Sequence, residues 1–230
     1  MNARLSFVLC AALLAAAPAA AQDRRLEERL PAAALPAVRA AVDAARAQRL
    51  PTEPLVQRAL EGAAREAGPE RIVAAVRELA NRLQTARGVL GRRAAEAELT
   101  AGAGALYAGI TVEELELLRD TRRRGSLAAP LVTLADLVER GVPREAAFAA
   151  VVALVQAGVP DESWTAFRQG VAEDIRAGAG PGEAAFTRTQ GALLRGRPPA
   201  RRPSRPVAPR PPPRPRPPSA PSFRQIPNPH

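Results

Sequence analysis

The sequence predicts an all-α protein carrying an arginine- and proline-rich C-terminal tail. Three observations predict it: apolar residues recur at helical spacing from Leu35 to Leu194, a Gly/Pro stop-and-start signal recurs between them, and proline crowds the segment beyond Arg195. Ala, Leu, Arg and Glu dominate residues 35–194, and each favours helix intrinsically. Almost no alternating strand pattern competes with them.

The N-terminus reads as a signal peptide spanning residues 1–21. Arg4 supplies a positive start, and Leu5 to Ala17 forms a largely apolar run. Ala19-Ala20-Ala21 offers the small residues that signal peptidase requires, so cleavage is expected between Ala21 and Gln22. As a helix the apolar run covers only about 20 Å, short of the ~30 Å hydrocarbon core. Cys10 lies inside that run after Leu9, where a lipid-modified cysteine would follow a small residue. The mature chain then has no cysteine, and its stability must come from a packed core. A periplasmic or secreted location follows as the expectation.

Residues 22–34, charged and then Ala-rich, are expected to be a flexible lead-in. The helical domain is placed at 35–194. Leu35, Val38, Val42 and Ala45 mark a first helical face. A longer helix starts near Pro69, with Ile72, Val73, Val76, Leu79, Leu83 and Ala86 along one side. Leu127, Leu131, Leu134 and Leu137 outline a third.

The punctuation between helices repeats. Arg140-Gly141-Val142-Pro143-Arg144-Glu145 returns as Ala157-Gly158-Val159-Pro160-Asp161-Glu162, offset by 17 residues. Looser copies stand at Arg49-Leu50-Pro51-Thr52-Glu53, Ala67-Gly68-Pro69-Glu70, Ala108-Gly109-Ile110-Thr111-Val112-Glu113 and Ala179-Gly180-Pro181-Gly182-Glu183. Glycine just past a helix end takes the left-handed conformation that closes it. Proline suits the first turn of the next helix, and an early carboxylate complements that helix's positive end. Thr111 with Glu114 forms a capping box. Such spacing leaves about 12 residues of helix and a tight turn, as in a helical bundle or a small α-hairpin array of antiparallel helices.

The stretch from Leu50 to Gly62, the stretch from Pro69 to Val76, and the Gly-Val-Pro turns at 141–143 and 158–160 resemble uncharacterised exported helical proteins of high-GC bacteria. The resemblance covers roughly residues 36–194 and excludes the tail. It implies an exported helical protein; it implies no activity, cofactor or catalytic residue.

Charge separates the chain into two regimes. All 33 basic residues are arginine, a composition that a high-GC genome also produces. Residues 22–194 hold 23 Arg against 23 acids, whereas residues 195–230 hold nine Arg and no acid. Fourteen of the 24 prolines lie in that same tail. Proline removes backbone donors and fixes φ, so the tail is expected to be disordered with polyproline-II bias. Arg195, Arg197, Arg201, Arg202, Arg205, Arg210, Arg214, Arg216 and Arg224 are the candidate polyanion-binding residues, because guanidinium forks hold phosphate and carboxylate bidentately. A solvated spacer without a fixed partner is the competing expectation. Specific nucleic-acid binding is not indicated, since Phe223 is the tail's one ring.

Absences bound the chemistry. The one histidine is His230, and the mature chain has neither cysteine nor lysine. Ser-His-Asp and Cys-His arrangements, ordinary zinc sets, phosphate loops and Schiff-base nucleophiles therefore lack their residues. Gly102-Ala103-Gly104 follows no strand and reads as close helix packing. Carboxylates remain: Asp161-Glu162, Glu173-Asp174 and Glu113-Glu114-Glu116, each expected near a helix start. A wall-glycan enzyme would need one buried Glu lining a groove. Trp164 and Phe167, one turn apart, suit a core position or a partner-binding hot spot, and Arg122-Arg123-Arg124 a solvated loop. No catalytic, cofactor-binding or metal-ligating residue is assigned. The expected function is that of a non-enzymatic interaction protein with a cationic tether, acting on an envelope protein; the alternative is binding of an anionic envelope polymer through the tail.

Overall fold

The structure is a computed structural model that describes residues 21–122 and 125–196. Among the described residues every regular element is helical. A first helix, α1, covers 21–29. It is followed by α2 (Leu35–Ala47), α3 (Glu53–Ala64), α4 (Pro69–Leu90), α5 (Glu96–Tyr107) and α6 (Val112–Thr121). The series ends with α7 (Ala128–Glu139), α8 (Arg144–Gln156), α9 (Ser163–Arg176) and α10 (Pro181–Gly196). Residues 1–20, all but the last position of the expected signal peptide (1–21), and the tail from Arg197 onward lie outside the described residues.

The helices stand in two rows. α2, α4, α6, α8 and α10 contact one another in succession, and α5, α7 and α9 do the same. Contacts between rows join α3 to α4, α4 to α5, α7 to α8 and α9 to α10. This is the ladder of an α-hairpin array, in which each helix packs on its neighbours in a row rather than around one shared centre. Helix lengths from 9 to 22 residues keep the array from being a uniform repeat.

The core follows that architecture as two adjoining clusters. One gathers Leu26, Val38, Val42, Leu55, Ile72, Val76 and Leu83 from α1 to α4. The other gathers Leu115, Leu131, Leu134, Leu154, Trp164 and Val171 from α6 to α9. α5 serves both: Leu99 and Ala103 enter the first cluster, while Ala101 and Ala105, on another side of the same helix, enter the second. A helix used on two sides must be apolar nearly all round, which its Ala-Gly-Ala-Gly-Ala run supplies. Gly102 sits where a Cβ would come within 3.1 Å of the Ala86 Cβ and 3.2 Å of the Leu90 Cδ1, so its missing side chain lets α5 approach α4. Gly104 faces open space instead, and close packing explains only the first of the two glycines.

The expected faces are the observed ones. Val38, Val42 and Ala45 of α2 are buried, as are Ile72, Val76, Leu83 and Ala86 of α4 and Leu131, Leu134 and Leu137 of α7. Trp164 and Phe167 are core residues, 1% and 8% exposed.

Residues 22–34 depart from expectation. They are not a frayed lead-in: α1 buries Leu26 completely and Leu30 nearly so, a pair one helical turn apart. Arg25 pairs with Glu53 at 2.7 Å, and Arg39 of α2 pairs with Glu27. Two apolar residues among charges carry too little periodic signal to be seen in sequence, yet they suffice once α2 and α3 supply a surface.

Six helices end in the same hydrogen-bond pattern. At the Gly141 end, the Gly141 N–H donates to the Val138 carbonyl and the Val142 N–H to the Leu137 carbonyl, at 2.9 and 3.0 Å. The pairs at Gly109, Gly158 and Gly178 repeat it, and all four glycines have φ between 70° and 102°. This double bond closes a helix through one left-handed residue. The remaining two ends place the left-handed residue elsewhere than the sequence suggested. It is Arg49 (φ 57°) and Glu66 (φ 54°), whereas Gly68 has φ −58° and belongs to the next helix start. Likewise Gly178 rather than Gly180 closes α9.

Candidate binding face

α3, α5, α7 and α9 together line a groove of about 810 Å³. Its floor is small and apolar: Pro54 from α3, Ala97, Ala101 and Gly104 from α5, Val132 and Ala135 from α7. Val132 stands 41% exposed there. α7 is mostly apolar because it packs on α5, α8 and α9; the side carrying Val132 and Ala135 is what remains uncovered.

Charged residues edge the groove. Glu53, Glu96, Asp136 and Glu139 line it, with Arg168 as the single cation among its lining residues. Glu53 is anionic well below neutrality: the hydrogen bond from Arg25, reinforced by Gln57 and Gln22, lowers its pKa from 4.5 to about 2. Asp136 is held by a bidentate pair with Arg140, both bonds at 2.9 Å. The Arg168 Nε is buried without a partner among the described residues. The groove can thus present an apolar strip between polar edges, the composition of a surface that accepts a protein segment.

Ala21 and Gln22, the residues flanking the expected cleavage, lie at the start of α1. Gln22 is built into the fold, its Nε2 donating to the Glu53 Oε2 at 2.9 Å and its Oε1 accepting from the Thr52 hydroxyl at 3.0 Å. Of the candidate polyanion-binding residues, Arg195 is exposed in the last turn of α10. Arg197, Arg201, Arg202, Arg205, Arg210, Arg214, Arg216 and Arg224 lie outside the described residues, as do Arg123 and Arg124. Arg122 is not solvated: its side chain is 7% exposed and pairs with Asp161 of the turn before α9.

The candidate acids are distributed among structural tasks. Glu114 returns to the Thr111 N–H at 2.9 Å while the Thr111 hydroxyl accepts the Glu114 N–H at 3.2 Å, completing the capping box. Glu114 also pairs with Arg144 at 2.9 Å. Glu173 and Asp174 are in the last turn of α9, not at a helix start, where the helix dipole disfavours them. Arg188 of α10 compensates, donating from Nε and Nη2 to the two Asp174 oxygens at 2.6 Å each and lowering the Asp174 pKa. These acids are scattered over the molecule and converge on no common point.

Sequence reasoning passed over Glu98. Burial alone would raise its pKa, but the N–H groups of Leu127 and Ala95, the Ser126 hydroxyl and the charge of Arg122 outweigh it, so the group is held below the ordinary range. A general acid needs the opposite shift. Thr133 and Thr189 are polar residues buried as a whole, and each hydroxyl donates to the carbonyl four residues back. No described helix is long and apolar enough to cross a membrane.

The groove residues were also unseen in sequence. Ala97, Ala101, Gly104, Val132 and Ala135 read there as helix filler, and nothing local distinguishes an alanine on an open face from one in the core. Comparison with protein-family models, curated proteins and solved structures finds no significant match to this chain.

Proposed function

We propose that this chain is an exported, non-enzymatic interaction module that holds a segment of an envelope protein along the groove of α3, α5, α7 and α9. The C-terminal arginine/proline segment serves as its tether. The observation that carries the proposal is the accessible apolar surface of Ala97, Gly104, Val132 and Ala135 in a groove also lined by charged residues. Stacked helix pairs characteristically bind partners along such row-spanning surfaces. Export rests on the cleavage pattern at Ala19 to Ala21.

Gly104 supplies the test. A Cβ there meets nothing within 4 Å, so Gly104→Trp fills the groove without entering the core. Affinity capture from envelope extract would compare the full chain, Gly104→Trp and a chain ending at Gly196. A partner lost with Gly104→Trp and kept without the tail supports the groove. A partner insensitive to Gly104→Trp refutes it.

The alternative is polyanion binding by the tail, favoured by nine arginines without one acid over residues 195–230. It requires heparin-like or lipopolysaccharide binding that falls steeply with salt and disappears with the tail.

A further inference from the structure

A second concavity is formed by α8, α9 and α10, and it shares no lining residue with the groove. It is a cleft of about 750 Å³ between the C-terminal end of α8, the start of α9 and the last turns of α10. Val159, Pro160, Ala166 and Ala192 contribute its accessible apolar lining, with the core residues Leu154 and Phe167 beneath them. Its charged lining residues are Arg188 and Arg195, with no carboxylate among them.

Both arginines are placed by glycines. The Arg188 Nη1 lies over Gly170, where a Cβ would stand 2.7 Å from it. The Arg195 Nη1 lies over Gly191, where a Cβ would stand 3.4 Å away. Arg188 is fixed further by its two bonds to Asp174, which use Nε and Nη2 and leave Nη1 outside that pair. Asp174 balances the charge of Arg188; Arg195 forms no ion pair among the described residues and adds a net positive charge.

We infer that this cleft binds a long-chain carboxylate, its alkyl chain against Val159, Pro160, Ala166 and Ala192 and its headgroup on Arg188 and Arg195. The volume is that of a small-molecule site, and an apolar cleft with a few placed donors is the common form of one. The charge selects the ligand: guanidinium donors match a carboxylate, and an uncharged chain would leave Arg195 without a counter-charge.

Calorimetric titration of the full chain with dodecanoate, dodecanol and acetate tests this, using wild type, Arg195→Gln and Ala192→Phe. Dodecanoate should bind at one site, dodecanol roughly tenfold more weakly, and acetate not measurably, a tenfold step being about one charge-assisted hydrogen bond. Arg195→Gln, on an exposed turn, should weaken dodecanoate by a similar factor, and Ala192→Phe should abolish binding by filling the cleft. Both variants keep the nine-arginine segment nearly or wholly intact, so loss of binding points to the cleft and not to the tail. Absence of dodecanoate binding, equal affinity for dodecanol, or full affinity in Arg195→Gln would overturn the inference. If Ala192→Phe loses its helical circular dichroism, the Arg195→Gln comparison decides alone.

Discussion

The Glu98 carboxylate starts two helices at once: one oxygen accepts the Ala95 N–H at 3.0 Å at the head of α5, and the other accepts the Leu127 N–H at 2.8 Å before α7. The Ser126 hydroxyl adds a third bond at 3.1 Å. An alanine at the N-cap of α5 offers no side-chain acceptor, so Glu98 supplies from inside the helix what the cap residue lacks.

Glu98→Gln should therefore destabilise the fold by roughly 1–2 kcal/mol, since an amide has one acceptor oxygen and leaves one backbone N–H unpaired. The acid side of the stability profile follows from the same residue and from Glu53. Both have folded pKa values below the ordinary carboxylate value, Glu53 at about 2. A group shifted down stabilises the fold above its unfolded pKa and loses that contribution as pH falls through the folded value. Urea unfolding followed by circular dichroism should show stability declining from about pH 4.5 toward 2, less steeply in Glu53→Gln. Stability constant over that range would contradict the assignment.

Arg49 and Glu66 hold left-handed backbone that four other helix ends give to glycine. A side chain there costs energy that glycine avoids. Arg49→Gly and Glu66→Gly should each raise stability by about 0.5–1 kcal/mol in denaturant titrations, whereas Gly141→Ala should lower it by at least as much. Destabilisation by Glu66→Gly would show that its side chain contributes more than its backbone strain costs.

Gly102 and Gly104 share a helix and a composition but not an environment. Gly102→Val should cost roughly 1–3 kcal/mol by forcing α5 away from Ala86 and Leu90. Gly104→Ala should stabilise by about 0.5–1 kcal/mol, because helix propensity improves and nothing is displaced. Thermal melts of the two variants give opposite signs if α5 packs as described.

The sequence by itself determined the helical class, the buried faces of α2, α4 and α7, three of the four glycine-closed ends (Gly109, Gly141 and Gly158) and the capping box at Thr111. It also determined the partition into a charge-neutral stretch and a cationic one. All of these are properties of composition or of residues within about one or two helical turns of each other, where backbone geometry allows few outcomes. Only the tertiary structure decided the rest. Glu98 meets Leu127 across 29 positions, Arg25 meets Glu53 across 28 and Gln22 meets Glu53 across 31. It also made α1 part of the core, put strain at Arg49 and Glu66, and separated Gly102 from Gly104. An alanine or glycine carries no mark of which neighbour it will meet, so the groove and the cleft appear only when the two rows of helices are assembled.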